Sequence, residues 1–232
     1  MLNKSKKITF TNNYGLNFFP PMPAIKEIPK WYKDTPEYGE NQEKKIIENS
    51  VTPHTIKKCM PVLDAITAGY ILYTQVDVQV SKRDGLTYYN WPSQDAISFH
   101  PLEQAPLHPK KNELPYPKWN NPYGISTPPG YSVLFTQPFH RDSLFTIFDA
   151  VVDTDKYKSP VAIPFTMNNL DWEGIIPAGT PMVQVIPFKR ESWQHNLGSD
   201  KERKEQEKTK SQLVSLFFNS YKKQFWSRKE YK

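Results

Sequence analysis

The sequence predicts a mainly β fold with a few helices: an antiparallel β-barrel or sandwich core, an extended proline-rich N-terminal arm and a C-terminal amphipathic helix. Three observations carry this. The chain has 22 prolines in 232 residues, all between Pro20 and Pro187, and interior proline costs a helix roughly 3 kcal/mol, so neither bundle nor coiled coil fits that span. Short apolar runs recur between turn residues after residue 69, the pattern of an antiparallel β protein. At 38% hydrophobic and 14% aromatic, the chain is also too apolar to be a disordered proline-rich segment. One β-rich domain over about residues 1–198, followed by a helix over 199–232, is therefore expected.

Residues 8–38 alternate apolar groups with proline, as in Phe18-Phe-Pro-Pro-Met-Pro-Ala and Pro29-Lys-Trp-Tyr-Lys33. Such a stretch suits neither a central strand nor a helix, and should lie extended over the body, anchored by Phe18, Phe19, Trp31 and Tyr32. Residues 39–53 are polar and read as a loop or short helix. Pro61 is tolerable only in a first turn, so a helix begins near Met60 and stops at Gly69. From Tyr70 to Val80 the even positions form one apolar face broken only by Thr74, which predicts a strand. Arg83-Asp84-Gly85 then turns the chain into a return strand over Leu86–Trp91. Residues 92–130 are rich in proline and read as a long irregular excursion. Further strands are expected at Tyr131–Thr136, Leu144–Asp153, Val161–Met167, around Ile175 and at Met182–Phe188. The last two flank the turn Ile176-Pro-Ala-Gly-Thr-Pro181. Ser199-Asp-Lys-Glu202 is a capping box opening one helix to about Phe225. Its first half is wholly polar, while Leu213, Leu216, Phe217, Tyr221 and Phe225 share a face further on.

The formal net charge is +6, which invites a nucleic-acid reading until it is divided. Residues 1–199 hold 20 lysines and arginines against 19 acids, and residues 200–232 hold 10 against 5. The body is nearly neutral, so nucleic acid is not the expected partner. The single cysteine, Cys59, forms no internal disulfide, and a cytoplasmic setting fits. No stretch approaches the ~18 apolar residues of a membrane span, and no secretory signal is recognised.

The five histidines show no metal-ligand spacing, and no glycine-x-serine-x-glycine elbow or phosphate loop occurs. Asp153 and Asp155 are the best catalytic pair by residue type. At alternate strand positions both carboxylates face one way and suit a shared proton or divalent ion, although Asp-Thr-Asp reads more simply as the start of a turn. His140 and Arg141 sit at a strand end. Scattered cations such as Arg83, Arg141, Lys189 and Arg190 are the available phosphate partners.

The run Val152-Asp-Thr-Asp-Lys-Tyr-Lys158, with Val161-Ala-Ile-Pro-Phe165 and Ile176-Pro-Ala-Gly-Thr-Pro-Met-Val-Gln-Val-Ile186, resembles the late strands of the dUTPase and dCTP deaminase superfamily, which has a β-clip fold. The resemblance implies a β-clip-like core, an aspartate (Asp153 or Asp155) acting as base for a water, Tyr157 stacking on a deoxyribose, and Gln184 supporting the site. It also implies trimers with sites between subunits. The family's arginine-serine phosphate motif and glycine-rich closing arm have no counterpart, which favours binding over hydrolysis. A broader set of segments resembles an uncharacterised family encoded by tailed bacteriophages: Pro29-Lys-Trp-Tyr-Lys33, Thr55-Ile-Lys-Lys-Cys-Met-Pro61, Ala68-Gly-Tyr70, Ser126-Thr-Pro-Pro-Gly-Tyr-Ser132, Val152-Asp-Thr-Asp155 and Gly179-Thr-Pro-Met-Val-Gln-Val-Ile-Pro-Phe-Lys-Arg190. The expectation is a phage accessory protein of the host cytoplasm. It would bind a small polar ligand, foremost a nucleotide, through Asp153, Asp155, Tyr157, Gln184, His100, Gln104 and Arg141. No cofactor is expected, and Mg only if the protein is a hydrolase. The alternatives are a structural protein of the virion and a dUTPase-like hydrolase; a homo-oligomer, foremost a trimer, is expected throughout.

Overall fold

Alternating apolar runs become thirteen strands among the described residues, which in this computed structural model are 6–15, 17–39, 55–92, 95–104, 115–215 and 220–232. Numbered along the chain, one sheet holds β1 (Thr9–Asn12), β6 (Ile97–His100), β7 (Tyr116–Ser126), β9 (Phe145–Ile147) and β11 (Pro160–Met167). It runs β1-β7-β11-β9, with β6 also on β7. A second holds β2 (Met22–Pro23), β3 (Tyr70–Tyr73), β8 (Tyr131–Thr136), β10 (Ala150–Val152) and β13 (Pro181–Lys189), in the order β10-β8-β13-β3-β2. The third, β12-β4-β5, comprises β4 (Val78–Arg83), β5 (Leu86–Asn90) and β12 (Gly174–Ile176). Every pairing is antiparallel. The mainly β class is as the sequence predicts, and the sheets are open rather than closed into a barrel. One apolar core draws on all three sheets, with Trp119 stacked on Phe165 at 4.6 Å and Phe145 beside both.

Four α-helices accompany the strands among the described residues: α1 (Lys30–Asp34), α2 (Met60–Thr67), α3 (Asp200–Ser215) and α4 (Ser220–Gln224). α2 begins and ends as read, with Pro61 in its first turn and Gly69 beyond its end at φ +65°. The β4–β5 hairpin also forms, through Asp84 (φ 52°) and Gly85 (φ 75°). The Ser199 backbone N–H donates to Glu202 Oε2 at 2.9 Å, completing the predicted capping box.

The largest departure is β7. The excursion over 92–130 contains β6 and this eleven-residue strand, the central member of its sheet. Proline does not exclude it: Pro117 is the second residue of the strand, opposite Phe99 of β6, and Pro122 falls where the ladder is already interrupted. On one edge β6 pairs with residues 116–119 and β1 with 123–126. On the other, the register to β11 jumps between Gly124↔Pro160 and Asn120↔Ala162. A missing N–H at such a bulge forfeits no ladder bond.

Two predicted strands are each divided between sheets. Residues 70–80 become β3 and β4, separated at Thr74, the one interruption in the apolar pattern. There Thr74 Oγ1 donates to Pro177 O at 2.8 Å and Asp77 Oδ1 accepts from Ala178 N–H at 2.7 Å, fastening the 176–181 turn. Residues 144–153 likewise become β9 and β10. The arm lies over the body through β1 and β2, as expected, but Lys30–Asp34 turns helical, because Pro29 precedes the helix rather than interrupting it. Residues 40–54, 105–114 and 216–219, with all but the first residue of the predicted loop at 39–53 and the contacts of Leu216 and Phe217, lie outside the described residues.

Candidate functional site

Asp153 and Asp155 follow β10 in a turn rather than a continuing strand: the amides of Lys156 and Tyr157 donate to Asp153 O at 2.9 and 2.8 Å. Both carboxylates nevertheless converge on Arg190, at the end of β13. The guanidinium meets Asp155 through both terminal nitrogens, at 2.9 Å from Nη1 to Oδ1, and Asp153 Oδ1 from Nη1 at 3.1 Å. Ser132 Oγ donates to Asp153 Oδ1 at 2.6 Å, and the Gly130 amide to Asp155 Oδ2 at 2.9 Å. The Asp155 side chain is only 8% exposed, against 50% for Asp153.

These bonds depress both acids. The hydrogen bond from Arg190, reinforced by the Gly130 amide, holds the Asp155 carboxyl far below the usual carboxylate range, and the Ser132 hydroxyl lowers Asp153. A guanidinium bonded to both acids leaves no room for a proton or divalent cation between them, so Mg does not fit this donor set. Among the described residues no group of three or more His, Cys, Asp or Glu side chains is arranged to hold a metal ion. The acid pair is a clamp on the loop between β7 and β8: Arg190 N–H bonds Gly130 O at 2.9 Å, and the hydroxyls of Thr127 and Thr154 meet at 2.7 Å.

The clamp has a testable pH dependence. A carboxyl whose folded pKa is depressed contributes stability that is fully present above its unfolded value, about 4, and is lost as pH falls toward its folded value. Asp155→Asn is expected to lower Tm at pH 7, with the gap to the parent closing in melts below about pH 4. An equal gap at pH 7 and pH 3 contradicts the clamp.

The remaining residues proposed from sequence do not gather around it. Tyr157 is exposed, its hydroxyl 3.4 Å from Pro160 O. Gln184 is fully buried and internally bonded: Oε1 accepts from Phe139 N–H at 3.0 Å, and Nε2 donates to Ala65 O and Ala68 O at 2.9 and 2.6 Å. His100 pairs opposite Tyr116, at the far end of β7 from Thr127, on the order of 30 Å away at ~3.3 Å per residue. Burial, with Lys118 nearby, lowers its pKa. Gln104 lies just beyond, in a single 3-10 turn. Arg141 is at the opposite end of β13 from Arg190, lining a cavity of ≈ 280 Å³ with Pro181 and donating to Glu27 O. Burial lowers the pKa of Arg141 and pushes that of the neighbouring Tyr73 hydroxyl up.

The wall that the clamp fixes borders a different cleft. A cavity of ≈ 690 Å³ lies between Lys6-Lys7-Ile8, the Thr127–Tyr131 loop and the C-terminal residues Glu230–Lys232. The tail is held against the body. Trp226 Nε1 donates to both Asp64 oxygens at 3.0 Å, Lys229 Nζ meets Asp64 at 2.6 Å, and the Tyr70 hydroxyl donates to Lys232 O at 3.1 Å. The Tyr231 ring packs edge-on to Tyr70 at 6.1 Å, and Phe10 adds a second ring at 5.2 Å. Lys232 pairs with Glu230 at 3.0 Å, while Lys6 and Lys7 make no ion pair among the described residues. Cationic groups and tyrosines thus line one cleft of ligand size, since small-molecule sites span roughly 300–1,000 Å³. Sequence reading missed it because its walls come from both chain ends and one mid-chain loop; the Lys6-Lys7 pair and the basic tail were the only signals.

No protein-family model and no curated protein matches the chain. Among solved structures, a mutant dUTPase from phage phi11 of S. aureus, described with a coordinated structural Mg(II) ion, is similar over 57% of this chain and 82% of its own. The identity is 13% and the TM-score 0.32, a likeness too slight to place this chain in that family. No helix among the described residues is long and apolar enough to cross a membrane.

Proposed function

We propose that the protein binds a small anionic ligand of the nucleotide class in the cleft beside the Thr127–Tyr131 loop and holds it without turnover. The observation that carries this reading is the ≈ 690 Å³ cavity whose lining combines Lys6 and Lys7 with Tyr131 and Tyr231. Lysine ammonium groups meet phosphate as point charges, and a tyrosine ring offers a base a flat apolar partner. Sequestration is favoured over hydrolysis because the acids that would serve as base are engaged by Arg190, Ser132 and Gly130. The resemblance of the sequence to a phage family supports a setting in an infected bacterial cell, and the dUTPase-like run Val152–Ile186 supports a homo-oligomer, foremost a trimer.

Thermal-shift screening of the full chain with nucleoside mono-, di- and triphosphates tests this. A ligand at 100 times its Kd stabilises by about 2.7 kcal/mol, which is a Tm rise of a few degrees for a chain of this size. Absence of any shift at millimolar ligand, for every nucleotide, overturns the reading. A second reading, an interaction protein of the virion, is favoured by the apolar residues Leu213 on α3, Tyr221 on α4 and Phe225 just beyond it, each about two-fifths exposed. Mass spectrometry of purified particles separates the two, since stoichiometric copies belong to a structural component.

A further inference from the structure

From the geometry of both faces of the C-terminal tail, we infer that the ligand is a single-stranded polynucleotide whose backbone crosses the tail. The inference rests on the nucleotide reading above and deepens it. On one side of Glu230–Lys232 lies the ≈ 690 Å³ cleft; on the other lies a second cavity of ≈ 500 Å³, lined by Pro23, Ile25 and Lys26 together with Arg228 and Lys229. The same three tail residues, Glu230–Lys232, line both, so the cavities adjoin with this segment as the ridge between them. Six cationic side chains border the pair, namely Lys6, Lys7, Lys26, Arg228, Lys229 and Lys232, against one acidic side chain, Glu230.

The division of charge along the chain hides this track, because three of the six belong to the nearly neutral body. Folding brings them beside the basic tail. Arg228 and Lys232 pair with Glu230 and Lys229 with Asp64, which leaves Lys6, Lys7 and Lys26 without an ion pair among the described residues. A mononucleotide placed in the ≈ 690 Å³ cleft would leave Lys26 unmatched, and one in the ≈ 500 Å³ cavity would leave Lys6 and Lys7 unmatched. A phosphodiester chain lying across the ridge meets cations on both sides. The tyrosines in the first cleft suit an unpaired base, and base–aromatic stacking with a cationic track is how single strands are held without sequence preference.

The test is fluorescence polarisation of the full chain with a 5′-labelled oligothymidylate of about 15 nucleotides, beside a thymidine mononucleotide and phosphatidylserine vesicles as competitors. The expected result is oligonucleotide binding at least tenfold tighter than the mononucleotide, with log Kobs falling against log salt at a slope of about −2 for three released counterions. Replacing Lys6, Lys7 and Lys26 by alanine is expected to weaken binding at least tenfold and flatten that slope. Replacing Lys201, Arg203 and Lys204 on α3 with alanine should leave both unchanged. Equal binding of mono- and oligonucleotide overturns the inference and leaves the nucleotide reading standing; no binding of either overturns the inference, and the nucleotide reading falls with it when the thermal-shift screen is blank for every nucleotide. Equal weakening by the α3 variant, or tighter binding to the vesicles than to the oligonucleotide, also overturns it. Circular dichroism of each variant excludes misfolding as the cause of a loss.

Discussion

Gly69→Ala is expected to yield little or no folded protein. Gly69 has φ +65°, and a Cβ there would stand 2.0 Å from Val185 O and 2.9 Å from Val185 C, both backbone atoms of the central strand β13. No side-chain rotation relieves that approach. Either α2 lifts from the sheet or β13 shifts against β3 and β8, and the expected cost is about 5 kcal/mol or more, at the extreme end for a point substitution. That is comparable to the whole stability of many domains. The comparison variant is Gly85→Ala. Its φ is similar, +75°, but nothing lies within 4 Å of the added carbon, so only the left-handed backbone penalty of about 1–2 kcal/mol remains. Urea denaturation of the two, or soluble yield where Gly69→Ala does not accumulate, measures the difference. Similar losses contradict the close-contact account.

Gln184→Leu is expected to cost about 3–5 kcal/mol, although leucine fills much of the same space. The side chain is fully buried, and its amide satisfies the Phe139 N–H and the Ala65 and Ala68 carbonyls near the end of α2. Stranding each buried polar group costs about 1–3 kcal/mol, tempered here because Ala65 O keeps a backbone donor in Ala68 N–H. Urea unfolding gives the loss, and amide hydrogen exchange should show faster opening at Phe139. The variant also separates two roles. A glutamine that touches ligand would, when replaced, weaken nucleotide binding with stability intact, whereas a strut loses stability first.

The features legible in the sequence are those set by neighbouring residues. Asp84-Gly85 specifies its hairpin, Ser199 and Glu202 specify their cap, and Pro61 and Gly69 bracket α2 because each acts within a turn of its own position. β7 was illegible because proline's effect on a strand depends on what lies across the ladder. Pro122 is tolerated only because β1, β6 and β11 all break at that level. Thr74 was visible as a flaw in an apolar face, yet nothing local says that the chain changes sheets there. The candidate site was harder still. Asp153 and Asp155 stood out by residue type, but their chemistry is decided by Arg190, more than thirty residues on. The cleft itself joins Lys6 to Lys232, a juxtaposition that only the closed fold creates.

The solvent-exposed helix α3 has a consequence for the time course of the tail. Sixteen residues at 1.5 Å each make a rod of about 24 Å, and none of its described side chains is buried. A helix without tertiary support is marginal in water and frays readily. The tail beyond it is therefore leashed rather than bolted: when Trp226 and Lys229 leave Asp64, the leash keeps them at an effective concentration set by its own length and not by the amount of protein. Recapture is a first-order event, unchanged by dilution. A single cut among the lysines and arginines of α3 would turn it into a second-order one, and the segment that walls the cleft would then be lost simply by diffusing away.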